Sequence, residues 1–225
     1  MARLKFFIFS AAKQGMKVNK LIVEGIGSFF IVLVLNVCIL NESGPLSYFA
    51  AGMIWSGMVF AGGHLSGAHF NPIVTLAVFI RGKCSASDVP SYIFVQLLGG
   101  SLAGLLAGGF LLQKIGQGMD LSVSAGQAIL SECIGSFALC WVVLHVTTTR
   151  DTLGNSFYGW AIGATYAGLG WALSSVSGSA LNPAIALSFG INNISGYNNF
   201  WIYFVGELLG AVAAAYVFLF TNGKE

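Results

Sequence analysis

The pattern Ser-Gly-x-x-x-Asn-Pro occurs twice in this chain, as SGAHFNP at 66–72 and as SGSALNP at 177–183, 111 residues apart. A second pair, QLLGG from Gln96 and ELLGA from Glu207, repeats at the same spacing, and EGIGSF from Glu24 returns as ECIGSF from Glu132 after 108 residues. Three matches in one order identify an internal duplication. The chain must therefore fold as two copies of one unit. We place the first copy at about 20–111 and the second at about 127–220, within a single domain over 1–225.

Each copy holds three apolar windows: roughly 20–40, 48–63 and 89–111, then 127–147, 157–175 and 199–220. A bilayer-spanning helix needs about 20 mainly apolar residues. Only 8% of the chain is charged, against about 25% in soluble domains. The windows are long, continuous and rich in Gly, Ala and Leu, so they read as helices rather than alternating barrel strands. The expected fold is an all-α, multi-pass membrane protein. Three spans per copy is an odd number, so the second copy must insert upside down relative to the first.

The cations give an orientation. Arg3, Lys5, Lys13, Lys17 and Lys20 precede the first span, Arg81 and Lys83 follow the second, Arg150 the fourth and Lys224 the sixth. Six spans put all of them on one side, with Lys114 alone on the other; the positive-inside rule makes the first side cytoplasmic. Both termini are then cytoplasmic, and the stretch LKFFIFSAA reads as an interfacial segment rather than a signal peptide.

Asn71-Pro72-Ile73 and Asn182-Pro183-Ala184 each follow a span and open an apolar piece too short to cross the bilayer. Asn is a favoured helix cap and Pro suits the first helical position. Short segments at matching places in inverted repeats point to half-helices that dip in from opposite faces and meet near the midplane. Each Asn oxygen would cap its own half-helix and leave the amide N–H groups to donate, beside two positive dipole ends. Such a site holds a neutral oxygen and repels a cation. Gly67-Ala68-His69 and Gly178-Ser179-Ala180, extended ahead of each Asn, would offer carbonyls as acceptors. Irregular backbone at this depth belongs beside a polar path.

These motifs identify the chain as resembling the major intrinsic protein superfamily, the aquaporins and aquaglyceroporins. GHLSGAHFNPIVTL at 63–76 is close to the family's first signature and SGSALNPAIALS from Ser177 to its second, with Ile73 standing where the family commonly has Ala. The resemblance covers nearly the whole chain. It implies six spans plus two half-helices, one pore per protomer, a homotetramer in a lipid bilayer, and passage of water and small neutral solutes. It also implies that Glu24 and Glu132 brace the loops before the half-helices, a role that suits a costly intramembrane carboxylate.

In the family a selectivity filter lies to the outer side of the Asn pair. The matching positions here are Ala51, Gly170, Ser179 and Ile185. Water-selective members usually place an aromatic, a His, a small residue and an Arg there; glycerol-type members use aromatics, Gly and Arg. This chain has neither the ring nor the cation. Small residues predict a wide opening, and Ile185 supplies an apolar wall without hydrogen bonds. Ala186, where the glycerol branch commonly has Asp, and the pair Tyr203-Phe204 point instead to the water branch. The resulting expectation is a passive channel for water and uncharged solutes of the glycerol, urea, hydrogen peroxide or ammonia class. The alternatives are a strictly water-selective channel and a junction-type structural member with little flux.

Nothing in the pattern calls for a cofactor, a metal, a catalytic group or a nucleic acid. His64, His69 and His145 are dispersed, and Cys38, Cys84, Cys133 and Cys140 lack disulfide or zinc spacing. Ser177 is matched by Ser66 and so belongs to the repeat rather than to an intramembrane protease. Glu207, matched by Gln96, reads as a packing or hydrogen-bonding group.

Overall fold

The computed structural model describes residues 2–121 and 124–223, with side chains from Lys17 onward. Lys224 lies outside the described residues, as do the side chains of Arg3, Lys5 and Lys13. Six long helices and two short ones make up the bundle, and no strand occurs among the described residues. The long ones are α1 (Ala2–Leu40), α2 (Leu46–Ser66), α4 (Val89–Gly104), α5 (Ala125–Thr148), α6 (Tyr158–Ser177) and α8 (Phe200–Asn222). The short ones, α3 (Pro72–Ile80) and α7 (Pro183–Ile191), have nine residues each.

Three features differ from the sequence expectation. The helix of the first span starts at Ala2, so the stretch LKFFIFSAA continues into the span without a backbone break. The third span does not stay α-helical: after Gly104 it runs as a π-turn over Leu105–Leu111, where Gly104 and Gly108 lie against Ser188 and Asn192 of the α7 segment. Among the described residues, five helical segments are long and apolar enough to cross a membrane, and α6 is not among them despite its 20 residues. Its Gly, Ser, Thr and Tyr content lowers its hydropathy, and α6 is packed along α2 and α5 within the bundle.

Close helix approach depends on small residues. A Cβ on Gly52 would stand 2.7 Å from Ala167, and one on Gly206 would stand 2.6 Å from the Ile129 carbonyl. These contacts pair α2 with α6 and α8 with α5. On the outside of the bundle, Phe94, Leu102, Leu130, Trp171 and Phe220 are exposed. Such a surface suits hydrocarbon, and the chain is a multi-pass integral membrane protein.

Two ion pairs mark the ends. Lys17 lies 3.6 Å from Asp88, tying the described start of the α1 side chains to the start of α4. At the other end Lys114 bonds Glu42 at 2.8 Å, linking the α1–α2 loop to the stretch after the π-turn. The Lys114 charge thus faces a carboxylate at the exposed end of the bundle.

Candidate functional site

The loops that precede α3 and α7 adopt the same backbone twice. Gly67 and Gly178 have φ of 90° and 82°, Ala68 and Ser179 have 50° and 49°, and Phe70 and Leu181 both have 50°. Left-handed backbone costs a non-glycine residue roughly 1–2 kcal/mol. Each loop carries two such residues, so each needs external support.

Buried carboxylates supply it. Glu24 accepts from Ser66 Oγ (2.7 Å), His69 N (3.0 Å), Phe70 N (2.7 Å) and Gln96 Nε2 (2.8 Å). Glu132 accepts from Ser177 Oγ (2.6 Å), Ala180 N (3.1 Å) and Leu181 N (2.9 Å). Both glutamates are fully buried. Ser66 and Ser177 each accept in turn from the backbone two residues on, Ala68 N and Ser179 N. Ser177 is thus held within the loop scaffold.

The loop-bracing role of two tyrosines, Tyr92 and Tyr203, was not legible in the sequence motifs. Tyr92 Oη donates to the Ser66 carbonyl at 2.8 Å and Tyr203 Oη to the Ser177 carbonyl at 2.7 Å. They stand 111 residues apart, so the repeat spacing could have found them.

Each loop ends on its Asn in extended backbone. Asn71 Oδ1 accepts from Ile73 N at 3.0 Å and Asn182 Oδ1 from Ala184 N at 2.9 Å, with Pro72 and Pro183 at the first helical positions. The amides also reach across the repeat boundary. Asn71 Nδ2 donates to the Leu181 carbonyl at 2.8 Å, and Asn182 Nδ2 donates to the Phe70 carbonyl at 3.1 Å. The two short helices therefore meet N-terminus to N-terminus. This corrects one expectation: each amide has two N–H groups, and one of them is spent on the opposite loop.

Carbonyl availability is also unequal between the loops. Tyr48 Oη donates to the Gly178 carbonyl at 2.7 Å, whereas Gly67 is exposed. Gly67 lines a cavity of about 500 Å³ with Val59, Gly63, His64 and Tyr158. His69 Nδ1 lies 3.2 Å from Thr75 Oγ1. Ser179 Oγ donates to the Leu169 carbonyl at 3.3 Å.

The four candidate filter residues, Ala51, Gly170, Ser179 and Ile185, are all buried. The opening predicted from Ala51 and Gly170 is not vacant. A Cβ on Gly170 would meet the Tyr48 ring and stand 2.9 Å from Tyr48 Cβ. Counting from the Asn residues alone could not reveal this, because Tyr48 sits one helical turn from the counted position. Ala51, Asn71, Ser179, Asn182 and Ile185 are all 0% exposed.

The profile of a family described as major intrinsic protein matches residues 6–218. Aquaporin NIP1-1 of Zea mays is 34% identical over 220 residues, covering 91% of this chain and 76% of that protein. Probable aquaporin AqpM of Archaeoglobus fulgidus is 33% identical over 198 residues, covering 81% and 80%. The X-ray structure of the aquaglyceroporin from Plasmodium falciparum shares the fold with a TM-score of 0.73 at 20% identity, covering 90% of this chain and 95% of that one.

Proposed function

Because the chain belongs to the major intrinsic protein family, we propose that it is a passive membrane channel for water and small uncharged solutes of the glycerol, urea, hydrogen peroxide or ammonia class. The observation that carries this reading is the head-to-head meeting of two Asn-capped half-helices, cross-bonded through Asn71 Nδ2 and Asn182 Nδ2. Two helix N-termini and the remaining amide N–H groups favour an oxygen acceptor and oppose a cation. In this reading residues 1–225 form one channel domain of two inverted repeats, at about 20–111 and 127–220, and protomers assemble as homotetramers. Both termini face the cytoplasm of the cell membrane, the side of Arg81, Lys83 and Arg150.

Ala51, Gly170, Ser179 and Ile185 serve as the filter, with Ile185 in place of a cation. The charge barrier then rests on the half-helices alone. Gly67, Ala68, His69, Ser179 and Ala180 offer carbonyls along the path, joined by Gly178 whenever Tyr48 releases it. Glu24 and Glu132 hold those carbonyls in place.

One observation favours a second reading, the junction-type member with little flux: the full burial of the Asn pair and of Ile185. Stopped-flow swelling of proteoliposomes with water, glycerol, urea, peroxide and ammonia separates the two. A channel raises at least one permeability above protein-free lipid, and a folded Asn182→Leu variant abolishes or re-weights that rise. Permeability at the lipid level for every solute would favour the junction reading.

A further inference from the structure

The face of α2 that carries Ala51 also carries Tyr48, one turn to one side, and Trp55 and Val59 in successive turns on the other. On α6, Tyr166 shares a face with Gly170. Trp55 and Tyr166 stand 111 residues apart, the spacing that also relates Asn71 to Asn182. Their ring centroids are 4.8 Å apart, tilted by 45°. Residues equivalent in two inverted repeats can touch only where they straddle the local two-fold axis. The Asn pair, cross-bonded through the two loops, straddles it as well. The aromatic pair and the Asn pair therefore lie at the same depth.

Trp55 is 1% exposed and Tyr166 0%, and neither Asn has any exposure. The cavity on the Gly67 side reaches Val59, one turn from Trp55. On the far side the Tyr48 ring covers Gly170 and its Oη is bonded to the Gly178 carbonyl. Tyr166 Oη is buried and has no hydrogen-bond partner among the described residues. A buried hydroxyl normally has a partner, so the Tyr166 Oη is open to bonding a molecule that passes.

We propose that Tyr48, Trp55 and Tyr166, rather than the four filter positions alone, form the constriction that decides which neutral solutes cross. Tyr48 is its latch. The Gly178 carbonyl accepts from Tyr48 in the closed state, and a permeant O–H or N–H takes over that bond as the ring swings aside. Tyr166 Oη supplies the next hydrogen bond, level with the Asn pair. Solutes that donate hydrogen bonds are thereby favoured over apolar solutes of equal size. This inference rests on the channel reading.

The test is stopped-flow permeability of proteoliposomes carrying the parent chain, Trp55→Ile or Tyr48→Phe, with circular dichroism to establish folding. Trp55→Ile should raise glycerol and urea permeability about tenfold relative to water, by removing one ring from the closed section. Tyr48→Phe keeps the ring and loses the latch, and should raise solute flux about fivefold, the barrier change of one net hydrogen bond. A silent parent that becomes conductive in either variant also supports the constriction. Should Trp55→Ile fail to fold, Tyr48→Phe decides alone. A conducting parent whose folded variants keep every permeability and ratio overturns the constriction and leaves the channel reading intact. If parent and both folded variants stay at the lipid level, the channel reading falls and takes this inference with it.

Discussion

Glu207 accepts the backbone N–H of Asn182 through Oε1 at 2.8 Å, and its Oε2 has no hydrogen-bond partner among the described residues. Its repeat mate Gln96 does the reverse and donates to Glu24. The two copies thus brace their loops with different chemistry at equivalent positions. In the second copy three successive N–H groups, of Ala180, Leu181 and Asn182, point at carboxylates from α5 and α8.

Glu207→Gln should fold and match or exceed the parent in thermal stability. The amide oxygen can keep the Asn182 bond, and the neutral amide removes a second carboxylate from beside Glu132 in a site with 0% exposure. Glu207→Leu should lose about 1–3 kcal/mol, because it strands a buried N–H beside the cap. Thermal unfolding in detergent, followed by circular dichroism, ranks the three. A Leu variant as stable as the Gln variant would show that the bond contributes nothing.

In the proposed filter, Ile185→Arg places a rigid cation among residues that carry no charge of their own. With Ile185 fully buried and the Tyr48 ring at Gly170, the guanidinium must compete for little space. Flux of glycerol- and urea-sized solutes should fall about tenfold or more, water flux should fall less, and any cation leak should decline. Permeability ratios measured beside the parent, with the folded assembly verified first, check this. Unchanged ratios would remove Ile185 from the filter.

Mercurial block tests the same alignment from another side. Cys38, Cys84 and Cys133 are half-buried and Cys140 is buried, and none lies in the loops at 67–71 or 178–182. Water flux of the parent should resist mercury salts. Ser179→Cys should become sensitive, since its Sγ takes the place of an Oγ three residues from Asn182. Strong block of the parent would place one of the native thiols on the path.

At the exposed end, the hydrogen bond and charge of Lys114 hold the Glu42 carboxyl below its usual range. A carboxyl lowered in the folded state contributes its stabilisation above the ordinary carboxylate range and loses it as pH falls through the folded value. The loop tie should therefore persist at neutral pH and release only in acid. Carbon NMR of labelled Glu42 should show its titration moving up toward the ordinary range in Lys114→Met. A titration that the substitution leaves unmoved would mean that the pair does not form in solution.

Much of the half-helix architecture is legible in the sequence alone. Asn71-Pro72 and Asn182-Pro183 cap and start α3 and α7 through bonds that span two residues, and bonds that short follow from residue order. Glu24 and Glu132 were legible as a matched pair. The reach of each Asn amide into the other loop was not, nor was the π-turn after Gly104, beside which the α7 segment passes closely.

What the sequence by itself determined is the duplication, the odd number of spans per copy and the two capped half-helices, because each is set by periodicity or by contacts a few residues long. Only the tertiary structure decided where the Tyr48 ring lies, that Trp55 meets Tyr166, and which carbonyls stay free. Tyr48 and Gly178 are 130 residues apart and come together only when α2 packs along α6. The size of the residue at a proposed filter position therefore did not predict the space there, since a neighbouring ring from another turn can fill what a glycine leaves open.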